Sequence, residues 1–170
     1  MRKPVFDKSF TQQETLPESA IERAVAVMRS GRLHRYNLQD GETGETAELE
    51  REFAAYQGQR YCLACASGGY SLHIALKSAG IKPREAVLSN AFTLAPVPGA
   101  IENAGGVPVL VEIDRNYCVD LKHLESRMKE TAARFFLISH MRGHIADMEA
   151  VDNLCREHGV TLIEIGRAHV

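Results

Sequence analysis

Apolar side chains recur along the chain in two rhythms. Ile21, Ala24, Val25 and Met28 fall at helical spacing, which predicts a helix opened by Pro17-Glu18 and stopped by Ser30-Gly31. Leu49, Phe53 and Tyr56 predict a second helix, capped by Thr46 and ending at Gly58. The stretch RLHRYNLQDGETGE between them is polar and glycine-punctuated, a loop long enough to carry function. After Gly58 the rhythm changes. Short apolar runs at 61–66, 86–89, 107–113, 134–139 and from 160 onward predict strands. Helical stretches alternate with them: 71–79, 95–103, one marked by Leu121, Leu124 and Met128, and one marked by Met148, Val151, Leu154 and Cys155. The strands are apolar throughout rather than alternating, so both their faces are expected to be covered. The expectation is an α/β fold, a mostly parallel sheet wrapped by helices. No internal repeat or low-complexity segment interrupts it.

Composition narrows the function classes. A chain of 170 residues that is 45% hydrophobic and 25% charged can bury a core and is not disordered along its length. The net charge of -2 leaves no basic surplus for a phosphate backbone, which argues against nucleic acid as a partner. No apolar run approaches the roughly 18 residues that span a bilayer, so no membrane association is expected. The start, MRKPVFDKSF, lacks the apolar stretch of a secretory signal. The four cysteines read as reduced thiols, and a cytoplasmic location is expected.

The familiar nucleotide and hydrolase motifs are missing: no Gly-x-Gly, no P-loop, no Gly-x-Ser-x-Gly and no His-Glu-x-x-His. Cys62 and Cys65 lie on a predicted strand, on opposite faces, and read as packing residues rather than a redox or zinc pair. His140 and His144 read as loop or site-lining histidines, since Gly143 disrupts the helix that would make them a ligand pair. His73 reads as a helix residue. No metal site is assigned. One motif stands above these: Ser67-Gly68-Gly69, between a predicted strand and a predicted helix. Ligands of parallel α/β sheets bind at that edge, and a helix N-terminus favours an anion. The competing reading is a tight turn without a ligand.

The order of segments resembles the DegT/DnrJ/EryC1/StrS family of pyridoxal-phosphate (PLP) enzymes, the sugar aminotransferases of fold type I, from about Ile21 to Glu164. Ser30-Gly31-Arg32-Leu33 resembles the family's entry to the active-site loop, and Leu49–Tyr56 its Glu/Phe-rich helix. Ala66-Ser67-Gly68-Gly69-Tyr70-Ser71-Leu72-His73 resembles its Ser-Ser-Gly-Thr-x-Ala-Leu-His, and Val87–Thr93 the strand and loop beside the cofactor ring. Val107–Asp114 resembles a further family strand, and Ser139–Met148 the segment with Gly-x-x-Ala-Asp-Met. The resemblance implies that Ser67, Gly68 and Gly69 hold the PLP phosphate. The family's ring-stacking aromatic falls at Leu94, with Phe92 two residues earlier, and Gly69 stands where threonine is usual. It also implies a cytoplasmic homodimer that moves an amino group from an amino acid to a keto-sugar or similar carbonyl compound, in amino-sugar biosynthesis. The 32–45 loop is expected to help bind the substrate. Alternatives are a relative that dehydrates its sugar, a non-catalytic phosphate-ligand-binding α/β module and, last, a metal hydrolase using His140 and His144.

PLP chemistry needs a Schiff-base lysine and a carboxylate against the pyridine nitrogen. By the resemblance the carboxylate position carries Ile165, and the lysine falls downstream of residue 170. Lys3, Lys8, Lys77, Lys82, Lys122 and Lys129 lack its context. No catalytic residue is therefore assigned. Residues 1–16 are read as an arm and 17–164 as part of a PLP-binding large domain, with the small domain absent and the chain inactive as given. Residues 165–170 are read as a non-native tail, because one choice of codons from Glu164 onward spells a common sequencing adapter after its first base.

Overall fold

The computed structural model describes residues 13–36 and 38–166. Most of the 1–16 arm, Lys3, Lys8 and the tail from 167 lie outside them. Contacts divide the chain into two compact units, Met1–Ala64 and Cys65–Val170.

The first unit carries α1 (Glu18–Ser30) and α2 (Glu45–Tyr56). Helix α1 begins after Pro17 and ends on Gly31, whose φ of 70° supplies the left-handed turn that glycine adopts freely. Helix α2 starts one residue before Thr46, so Thr46 is not its cap. Gly44 takes that position in extended conformation, and Glu45 and Glu48 in the first turn complement the helix dipole instead. Ion pairs join Arg23 to Glu45, Arg32 to Glu42, Arg35 to Glu50 and Arg51 to Glu48. The run at 61–66 forms no strand. Apolar composition alone does not supply the ladder that a strand needs. Tyr61 and Leu63 are exposed, and the Ala64 amide donates to the Glu50 carboxylate (2.7 Å) rather than to a ladder.

The second unit is the α/β part. Helix α3 (Gly68–Ser78) leads into β1 (Ala86–Asn90), α4 (Pro96–Asn103), β2 (Val107–Val111), α5 (Leu121–Thr131), β3 (Phe135–Ser139), α6 (Met148–Glu157) and β4 (Thr161–Ile165). The strands form one parallel sheet in the order β2-β1-β3-β4. Central strand β3 is buried along its whole length, and β1 nearly so, as their unbroken apolar pattern predicts. On one face Leu76, Val97 and Ile101 of α3 and α4 pack on Val87, Phe135 and Leu137. On the other, Leu124, Met128, Val151 and Cys155 of α5 and α6 pack on Leu88, Val111, Phe136 and Ile138. Ile165, assigned to the tail by the sequence reading, is the last residue of β4 and pairs with Ser139.

Helices α3 and α4 end together at the sheet's amino edge. Lys77 Nζ of α3 reaches Ala104 O just after α4 (3.4 Å), and Arg134, just before β3, donates to Gly80 O (3.2 Å). Here Gly106 is a packing requirement: an added Cβ would stand 2.6 Å from Ile81 Cδ1 and 3.1 Å from Glu85 O. With those ends at the amino edge, the N-terminus of α3, at Ser67, points to the carboxyl edge. Among the described residues no helix is long and apolar enough to cross a membrane.

Candidate functional site

Topology alone marks one place on the carboxyl edge. Strand β1 leaves through α4 on one face of the sheet, and its neighbour β3 leaves through α6 on the other. Adjacent strands whose connections diverge open a crevice, and open α/β sheets bind ligands there. The crevice between β1 and β3 has a polar floor. Asn90 is 2% exposed, and its amide replaces the strand ladder where the two strands part. Its Nδ2 donates to Phe92 O (2.9 Å) and Ser139 O (3.1 Å), and its Oδ1 accepts from Ser139 N (2.8 Å). All the amide's main hydrogen-bonding positions are used, as burial demands. Sequence reading missed this staple; its only trace was a polar residue closing an apolar run.

Ser67, Gly68 and Gly69 form the start of α3, three residues earlier than the periodicity predicts. Ser67 is the N-cap, its Oγ accepting from Tyr70 N (3.2 Å), so the hydroxyl hydrogen stays available to donate. Ser71 Oγ closes the turn by donating to Gly68 O (2.7 Å). The amides of Gly68 and Gly69 donate to no group among the described residues. A Cβ on either glycine would meet no atom within 4 Å, and neither has positive φ. The fold therefore does not require glycine at these positions, and glycine costs a helix about 0.5–1 kcal/mol relative to alanine. Two open amides, a hydroxyl and clear space above them suit an oxyanion. The residues present thus fit the phosphate end of the expected cofactor.

Phe92 and Leu94 follow β1 on the same edge. The Phe92 ring is engaged, 5.0 Å from the Tyr117 ring and 6.0 Å from that of His144. Leu94 is 40% exposed. Between them Thr93 has its Oγ1 buried with no partner. His140 is 5% exposed, and its Nε2 lies 3.0 Å from Glu164 Oε1. Its Nδ1 is buried without a partner. His140 and His144 thus both line the carboxyl edge, as loop residues. Among the described residues no group of three or more His, Cys, Asp or Glu is placed to hold a metal. His73 stacks on Tyr70 along α3 (6.1 Å). Cys62 and Cys65 are half-buried, outside any strand.

Lys77 and Lys82 lie toward the amino edge, Lys129 pairs with Glu125 (2.5 Å), and Lys122 is exposed on α5. In the first unit, the loop after α1 encloses a cavity of about 330 Å³, lined among others by Arg32, Leu33, His34, Arg35 and Leu38.

A sequence model of the DegT/DnrJ/EryC1/StrS aminotransferase family matches residues 15–165. The chain is 34% identical over 166 residues to the pleiotropic regulatory protein of Geobacillus stearothermophilus, covering 96% of this chain and 42% of that one. It is 32% identical over 146 residues to the L-glutamine:2-deoxy-scyllo-inosose aminotransferase of Streptoalloteichus tenebrarius, covering 85% and 34%. Among solved structures, S. venezuelae DesV superposes with a TM-score of 0.73 at 30% identity, covering 86% of this chain and 38% of that one. The chain spans less than half the length of each.

Proposed function

The chain belongs to the DegT/DnrJ/EryC1/StrS aminotransferase family and has the α/β fold of PLP-dependent aminotransferases, and from that premise we propose that it is the phosphate-gripping part of a PLP-dependent sugar aminotransferase. Ser67 and the amides of Gly68 and Gly69 bind the cofactor's phosphate. Leu94 packs on one face of its ring. When bound, PLP supplies the electron sink that lets an amino group pass between two carbon skeletons. The described residues hold and orient that cofactor and shield one side of it from water.

The observation that carries this reading is the pair of open glycine amides at a capped helix start, in clear space, on the edge where the sheet's topology puts a ligand. The whole protein would move an amino group from an amino-acid donor to a keto-sugar or similar carbonyl compound. A relative named for L-glutamine and a deoxy-inosose supports that class. The family's usual homodimer is proposed for the whole protein, in the cytoplasm. The Schiff-base lysine and the pyridine carboxylate are not assigned to any described residue, and the chain by itself is proposed to bind without turning over.

Titrating the chain with PLP and then reducing with borohydride tests this. The expected result is saturable binding that inorganic phosphate competes away, with no lysine carrying cofactor after reduction. Binding indifferent to phosphate contradicts the grip, and a single lysine of this chain trapped in high yield contradicts the division of labour.

A further inference from the structure

Three loops leave the carboxyl edge from adjacent strands, and each delivers one ring to the same place. Phe92 follows β1, Tyr117 follows β2 and His144 follows β3. Tyr117 and His144 stand 5.5 Å apart, completing a triangle with Phe92 at 5.0 and 6.0 Å. The ring planes meet at 43°, 71° and 56°, the tilted and edge-on arrangements that aromatic quadrupoles favour. The loops of Tyr117 and His144 are also tied directly, Cys118 Sγ lying 3.5 Å from Ile145 O.

The Tyr117 loop is built for this placement. Tyr117 has φ of 63°, a left-handed conformation that a bulky residue keeps only when its surroundings enforce it. Asp114 enforces it: Oδ1 accepts from Asn116 N (2.8 Å) and Cys118 N (3.0 Å), its own amide donates to Cys118 O (2.8 Å), and Tyr117 N donates to its carbonyl (3.1 Å). Ile113 and Val119 pair across the base of the turn. Yet the side chain so placed is 52% exposed, so burial of the tyrosine does not account for the strain. What the geometry accomplishes is contact with Phe92.

We infer that Tyr117 and His144 are positioning residues that clamp Phe92 and thereby fix the 91–95 loop, with Thr93 and Leu94, over the crevice between β1 and β3. Phe92 is then the anchor of this loop rather than a ring-stacking residue, and Leu94 is the face left for the ligand. The inference rests on the cofactor reading above for its functional meaning, but the clamp itself is measurable without a ligand.

The test compares Tyr117→Ala, Tyr117→Phe and His144→Ala in the full chain, by amide hydrogen exchange and by PLP titration with inorganic phosphate as competitor. In Tyr117→Ala, exchange at 91–95 is expected to rise about tenfold while β1 keeps its protection, since loop opening is local. PLP affinity falls by a similar factor, and phosphate affinity stays unchanged. Tyr117→Phe behaves as the parent chain, because the ring alone makes the contact, and His144→Ala falls between the two. Unchanged exchange at 91–95 in both alanine variants overturns the inference, as does equal loss of PLP and phosphate binding, which marks a general structural role. A parent chain that takes up no PLP at all contradicts the cofactor reading, while the exchange data still decide the clamp.

Discussion

In residues 65–166 every α-helix buries at least one side chain, from Leu76 of α3 to Val151 and Cys155 of α6, against a sheet whose central strands are buried almost throughout. In the first unit α1 buries none and α2 buries only Ala54. Met28, Leu49 and Phe53 stand 61%, 56% and 49% exposed on those helices, and the visible ties are ion pairs at the surface. The second unit therefore carries its own hydrophobic free energy. The first has the amphipathic pattern of a packed helix pair without the burial that makes such helices stable.

The largest expected effect sharpens this contrast. Phe136→Ala, in the middle of β3, should lower unfolding free energy by about 3–5 kcal/mol, whereas Phe53→Ala on α2 should change it by no more than about 0.5 kcal/mol. Urea denaturation of the two variants checks both. A large loss from Phe53→Ala would show that the first unit is buried in solution. Within the second unit, two glycines should respond with opposite signs. Gly106→Ala forces a Cβ against Ile81 and backbone and should cost about 1–3 kcal/mol. Gly69→Ala enters clear space in a helix and should raise stability by up to about 1 kcal/mol. Thermal melts decide between them.

Caps give the next effect. Asp120 accepts from the amides of Lys122 (2.9 Å) and His123 (3.0 Å) at the start of α5, so Asp120→Ala should cost about 1 kcal/mol, while Thr46→Ala, beside a helix capped by Gly44, should cost none. The smallest effect is acid sensitivity. Arg134 beside Glu85 holds its carboxyl below the usual carboxylate range, helped by the Lys82 amide, and the Cys118 and Asn116 amides do the same for Asp114. A depressed carboxylate lends its full stability above the ordinary value, about 4, and loses it as pH falls through its lower folded value. The melting temperature should therefore decline on acidification below about pH 4, and Glu85→Gln should flatten part of that slope. In the first unit, Arg32 holds Glu42 low and the Ala64 amide holds Glu50 low. Those carboxylates are held partly by exposed arginines, so added salt should speed proteolysis of the 32–45 loop without touching the sheet.

Much of the second unit was legible because it repeats one physical device. Apolar runs of strand length alternate with helical spacing, and β1, β2, β3, α4 and α6 fall within a few residues of their predicted places. The run at 61–66 misled because apolar composition reports burial, whereas strand formation needs a partner that local sequence does not specify. The α3 start was placed late because Gly68 and Gly69 read as turn residues, although Ser67 caps them into the helix. Of the site, the Ser67 turn was visible as a motif, but the meeting of Phe92, Tyr117 and His144 was not. Those rings come from loops after three different strands and converge only once the sheet order is known.

The central claim is that the open turn at Ser67–Gly69 grips a phosphate. Its most direct test is equilibrium titration with PLP, with inorganic phosphate as competitor, of the parent chain and of Gly69→Val. An added Cβ there meets no protein atom within 4 Å, and circular dichroism should show the fold intact. The account predicts phosphate-competed PLP binding by the parent chain, weakened at least about tenfold in Gly69→Val, a loss of about 1.4 kcal/mol. Equal affinity in the two folded proteins would contradict it.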